Sequence, residues 1–103
     1  MDVELLVVPD CPNEDAAYDR TLAALAELDV PASVSVTVID TDKEAQARGF
    51  TGSPTFLIDG HDPFIEPNAA VGLACRMYRT QSGLAGVPGL HELREELRHR
   101  VHA

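Results

Sequence analysis

Cysteine is scarce in this chain: two residues out of 103, at positions 11 and 75. That excludes a disulfide-dense scaffold, which needs several bridges to make up for a small core. Long apolar runs are also missing. The longest, Val3 to Pro9 and Pro54 to Ile58, are strand-sized, far below the roughly 20 residues that span a bilayer. Positive charge is sparse, with eight basic residues against seventeen acidic and a net charge of −9. Such a surface repels nucleic acid and anionic lipid. Asp2 and Glu4 stand where a signal peptide carries Lys or Arg. These absences predict a cytoplasmic protein with reduced thiols and neither a nucleic-acid nor a membrane partner.

What remains is ordinary for a globular chain, 45% hydrophobic and 24% charged. Its length is that of a single domain over residues 1–103, and no repeat, low-complexity tract or linker interrupts it. The basic residues gather late, at Arg76, Arg79, Arg94, Arg98 and Arg100.

Periodicity and punctuation give the element order. Val3 to Val8, closed by Pro9, reads as a buried strand. Pro12 suits the first position of a helix, which puts Cys11 at the N-cap. Tyr18, Leu22, Leu25 and Leu28 then form one buried stripe, with alanines supplying helix propensity and close packing. Ser33 to Ile39 alternates, Val34, Val36 and Val38 facing one way, so it reads as a strand with one wetter face. Thr41 and Glu44 have capping-box spacing, and Gly49 fits the stop of that short helix, with Phe50 folding back. Ser53 to Ile58 is a further strand, and Asp59-Gly60 a turn. Glu66 to Leu73 is loop-like. Arg76 to Thr80 forms a short strand, with a turn at Ser82-Gly83. Leu90, Leu93, Leu97 and Val101 lie on one face of a last helix, acidic early and basic late, as the helix dipole favours. The order β-α-β-α-β-β-α predicts an α/β domain: a four-stranded mixed sheet flanked by helices, its first crossover parallel and right-handed.

Cys11 has the sharpest chemical context. A cysteine between a buried strand and a helix faces backbone N–H groups and the positive end of the dipole, which favours the thiolate, the nucleophile and soft-metal ligand. Asp10, Glu14 and Asp15 oppose a second negative charge there, so the balance predicts a moderately reactive thiol. The plainer alternative is an inert capping cysteine under a loop. Cys75 is either a second working thiol or a small buried hydrophobe at a strand start. Ser-Pro at 53–54 fits either a cis bond beside Cys11, leaving the Ser53 backbone open to an extended substrate, or a trans bond opening an edge strand. His61 faces a metal or is a solvated turn residue, and His99 and His102 suit a helix C-terminus. Arg76 and Arg79 serve either a thiolate or substrate carboxylate, or surface ion pairs. No zinc-type cysteine spacing, phosphate loop or Ser-His-Asp set is present, so neither cofactor nor metal site is expected.

Val7-Val8-Pro9-Asp10-Cys11-Pro12-Asn13-Glu14, with Gly52-Ser53-Pro54-Thr55 later, resembles a small thioredoxin-like protein. The resemblance runs from Val3 through the C-terminal helix and lacks the extra N-terminal strand and helix of full thioredoxins. It is similar to a group carrying Gly-Ser-Pro-Thr and Gly-Leu-x-Cys-Arg-x-Tyr, here Gly72-Leu73-Ala74-Cys75-Arg76-Met77-Tyr78. Some members of that group are selenoproteins and some bear an alkylmercury-lyase name. The resemblance implies that Cys11 is the attacking thiol and that a cis-proline, Pro54, lies against it; Pro12, Ser53, Pro54, Thr55 and Arg76 are the expected binding residues. The chain departs from the family's Cys-x-x-Cys at Glu14, a carboxylate that forms no disulfide. A single-thiol mechanism through a mixed disulfide, or a resolving role for Cys75, must replace it, and bridging requires Cα atoms within roughly 7 Å.

Three readings stay open. The first is a thiol-disulfide redox protein, monomeric or weakly dimeric, acting on a low-molecular-weight thiol or a protein disulfide. The second is a soft-metal or organomercurial clamp made by Cys11 and Cys75. The third is a non-catalytic interaction module, since fold alone confers no activity.

Overall fold

Leu5, Leu6 and Val7 lose all contact with solvent, because the strand that carries them is the middle of the sheet. In the computed structural model, which describes residues 1–66 and 68–101, this strand is β1 (Asp2–Val7). It pairs in parallel with β2 (Ser33–Val38) from Asp2↔Ser33 to Val7↔Val38. On its other side it pairs antiparallel with β3 (Thr55–Ile58), from Val3↔Ile58 to Leu6↔Thr55. The sheet is therefore mixed, in the order β2-β1-β3. Alternation sorts its side chains between two cores. Val3, Leu5, Phe56 and Ile58 pack with α1 (Glu14–Leu28) and α3 (Leu90–Val101). Leu6 and the partly buried Leu57 pack with Ile39, Phe50 and Ala45 of α2 (Asp42–Arg48). Burying each large apolar side chain contributes about 1.5–3 kcal/mol.

The local signals for α2 are realised as read. The Thr41 hydroxyl accepts from the Glu44 N–H at 3.1 Å. Gly49 closes the helix in the left-handed region (φ 62°), and the Phe50 N–H returns to the Ala45 carbonyl at 2.9 Å.

Several expectations need correction. The sheet has three strands, not four. The expected fourth strand, β4 (Tyr78–Thr80), pairs instead with β5 (Gly83–Ala85) in a separate hairpin. Gly83 (φ 111°) permits that tight reversal, and the Thr80 hydroxyl accepts from the Ser82 N–H while donating to the Gly83 carbonyl. One isolated parallel bridge, Ser53 to Cys75, joins the approach to β4 onto the approach to β3.

The buried stripe of α1 differs in part, although Leu25 is buried and Tyr18 and Leu28 pack against the core as expected. Ala17, Thr21, Ala24 and Leu25 are buried, whereas Leu22 is 44% exposed. Small residues face α3, whose fully buried Leu93 and Leu97 fill the space, so close helix approach overrides side-chain size. The Thr21 hydroxyl donates to the Ala17 carbonyl at 2.8 Å, which satisfies it within the helix. On the edge strand β2, Val34 packs against the core, but Val36 and Val38 are exposed. Pro67, His102 and Ala103 lie outside the described residues, so the reading of His102 is not addressed by the structure. Among the described residues, no helix is long and apolar enough to cross a membrane.

Candidate functional site

The chain leaves β1 at Val7 and must reverse before entering α1. Asp10 takes a left-handed conformation (φ 58°) in that turn, which aspartate tolerates better than most residues. The Cys11 carbonyl accepts from the Glu14 N–H at 3.2 Å. The helix N-cap is Asn13, not Cys11, and Pro12 lies in the preceding turn rather than in the first helical position. Asn13 is held there by packing: a Cβ on Gly86 would stand 2.4 Å from its Nδ2. The cysteine thus sits two residues ahead of the cap, half-buried.

Its sulfur is partnered from the opposite side. The Ser53 hydroxyl donates to Cys11 Sγ at 3.0 Å, and its oxygen accepts from the Val8 N–H at 3.0 Å. The serine hydroxyl thus accepts from the backbone and donates to the sulfur. Ser53 is only 1% exposed, so bulk water does not compete for these bonds.

The backbone of Ser53 is fully engaged, which corrects the expectation that it stands open to a substrate. Its N–H donates to the Ala74 carbonyl at 2.9 Å, and its carbonyl accepts from the Arg76 N–H at 3.0 Å. Gly52 makes this approach possible. It sits at φ 132°, and a Cβ there would lie 2.9 Å from Arg76 Cβ and 3.2 Å from Arg76 Cα. The Ser53–Pro54 peptide bond is cis, and Pro54 is fully buried. The Thr55 hydroxyl donates to the Gly52 carbonyl at 2.6 Å, closing the turn, and the Tyr78 hydroxyl donates to the Pro54 carbonyl.

Cys75 is the residue opposite Ser53 in this bridge. Paired residues on adjacent strands stand roughly 4.8 Å apart, and in a parallel pair they project to the same face of the sheet. Cys75 is exposed and both thiols are free, so the reading of Cys75 as a buried small hydrophobe does not hold. The two cysteines are thereby brought to one residue: Cys11 through the Ser53 side chain, Cys75 through the Ser53 backbone.

Arg76 turns inward from the same segment. Its guanidinium forms a two-pronged ion pair with Asp62, at 2.7 and 3.2 Å. It also donates to the Thr55 hydroxyl at 3.2 Å and the Phe64 carbonyl at 2.5 Å, and lies 4.8 Å from the centre of the Tyr78 ring. Neither a surface ion pair nor a free anion receptor describes it: both terminal nitrogens are engaged, and it anchors the Cys75 segment. Phe56, Phe64 and Tyr78 meet edge to face around it. Burial pushes the Tyr78 phenol far up, with the Arg76 charge opposing.

Sequence reasoning picked out Cys11, Ser53, Pro54, Thr55 and Cys75, which converge here. It missed Asp62 and Phe64 as their supports, and had Gly52 and Tyr78 only as members of the quoted motifs. The signal available for Gly52 was its place beside Ser-Pro; Asp62 sits in a polar turn and gives no hint of its distant partner. Pro12 is exposed and has no recorded bond to the sulfur. Thr55 also lines a cavity of about 410 Å³ with Arg48, His61 and Asp62, which neither cysteine lines. Among the described residues, no group of three His, Cys, Asp or Glu side chains is placed to hold a metal ion. Comparison of the chain with protein-family models, curated proteins and solved structures finds no match.

Proposed function

We propose that the protein is a thioredoxin-like thiol-disulfide exchange protein in which Cys11 attacks and Cys75 resolves. The observation that carries this reading is Ser53, whose hydroxyl donates to the Cys11 sulfur while its backbone pairs beside Cys75. The placement of Cys11 just ahead of α1, and of Pro54 just ahead of β3, supports it further.

The Cys11 thiolate attacks one sulfur of a substrate disulfide. A new S–S bond forms, and the other substrate sulfur leaves as a thiolate that takes up a proton. The Cys75 thiolate then attacks Cys11 Sγ, forming the internal disulfide and releasing the second substrate thiol. Two electrons pass from the protein dithiol to the substrate, and an external thiol returns them. Ser53, whose hydroxyl donates to Cys11 Sγ, is suited to support the charge on the attacking thiolate before the first step.

Mild oxidation followed by alkylation and peptide mass mapping tests this. The expected products are a Cys11–Cys75 bridge in the wild type and a Cys11 adduct with a small thiol in Cys75→Ser. Recovery of both thiols unoxidised would leave the interaction-module reading standing. One mercury(II) bound per chain and lost in Cys11→Ser, without any disulfide product, would instead favour the clamp.

A further inference from the structure

A residue within a parallel ladder offers its N–H and C=O to one side only. Ser53 bonds to Ala74 and Arg76, the residues flanking Cys75. The N–H and C=O of Cys75 therefore face away from the sheet, and among the described residues neither has a partner. The segment that closes off Ser53 thus carries a new edge past the reactive sulfurs. Burial alternates along it: Cys75 and Met77 are exposed, Arg76 and Tyr78 buried. Its exposed neighbours along the chain include apolar Leu73 and Met77, 40 and 54% exposed. Of its two cations, Arg76 is buried and committed to Asp62, and Arg79 is exposed beside Glu66 at 3.5 Å. Beside Cys11 the exposed charges are Asp10 and Asp15, and the whole chain carries −9.

We infer that the substrate of the thiol site is an extended protein segment with apolar and basic residues around its disulfide, which pairs with the backbone of Cys75. A small anionic thiol meets like charge beside Cys11 and, in Arg79, a cation shared with Glu66; an apolar, basic strand finds an open edge, apolar neighbours and opposite charge. The inference rests on the exchange reading and deepens it by naming the substrate class. Cys11 forms the bond to the segment's sulfur, and the sulfur that was bonded to it leaves as a thiol.

Cys75→Ala keeps the edge backbone and traps the mixed disulfide at Cys11. Three disulfide probes are compared by mass spectrometry: a short cysteine peptide rich in valine and lysine, the same peptide with alternate backbone nitrogens methylated, and oxidised glutathione. The unmodified peptide is expected to load Cys11 about tenfold faster than either of the others, as one or two backbone hydrogen bonds would give. Amide exchange on the trapped complex is expected to show new protection at residue 75 and no change at Ser53. Met77→Ser is expected to narrow the peptide's advantage. Equal rates for the three probes, or no protection at residue 75, overturn the docking inference while the exchange reading survives. If no probe loads Cys11, both fall.

Discussion

Replacing Asp62 by alanine isolates the buried guanidinium of Arg76. The two side chains are 12% and 6% exposed, so the charge left behind is poorly reached by water. Removing one partner of such a pair costs about 3–5 kcal/mol, mostly the penalty of an uncompensated buried charge. A domain of this size has about 5–15 kcal/mol of stability in all. At about 4–8 °C per kcal/mol, the melting temperature should fall by at least about 12 °C. Replacing both partners by apolar residues, Asp62→Leu with Arg76→Met, removes the orphaned charge and should recover more than half the loss. Arg79→Ala serves as the control: its ion pair with Glu66 is 82% and 52% exposed, and its loss should stay within about 0.5 kcal/mol. Calorimetry or circular-dichroism melts measure all four proteins. A loss of less than about 1 kcal/mol for Asp62→Ala, or a double variant no better than the single one, would refute the claim that Arg76 is a buried anchor.

Three further outcomes follow from the same geometry. Gly52→Ala forces a left-handed φ on a side chain that also meets Arg76, so urea unfolding should show a loss of about 1–3 kcal/mol or more, with the Ser53–Cys75 bridge weakened in amide exchange. Burial raises Tyr78 above its ordinary value of 10.0. Its contribution is complete below pH 10 and is lost as pH rises through the higher folded value; stability should therefore decline above pH 10, and Tyr78→Phe should flatten that decline in denaturation curves taken across the alkaline range. Glu4 is held below its ordinary 4.5 chiefly by the Arg48 guanidinium bonded to it at 2.6 Å, against the opposing effect of burial. Its contribution is present above pH 4.5 and disappears as pH falls through the lower folded value, so Arg48→Met should reduce the acid dependence of unfolding below pH 4.5.

The local features were legible because their signals are local. The Thr41–Glu44 cap, the Gly49 stop and the apolar runs of β1 and β3 each depend on a few adjacent residues. Cys11, Ser53, Pro54 and Cys75 were likewise singled out by type and neighbour. Tertiary packing decided how they meet. The cap moved from Cys11 to Asn13 because the chain must reverse between β1 and α1 and Asn13 seats against Gly86. Leu22 turned outward because small residues let α3 approach α1. The expected fourth strand became half of a hairpin, while its leading residues crossed to Ser53, an approach that Gly52 permits and the Arg76–Asp62 pair secures. Such long-range pairings are governed by complementary space, charge and free backbone groups on distant segments, and no window of sequence holds both halves of the match.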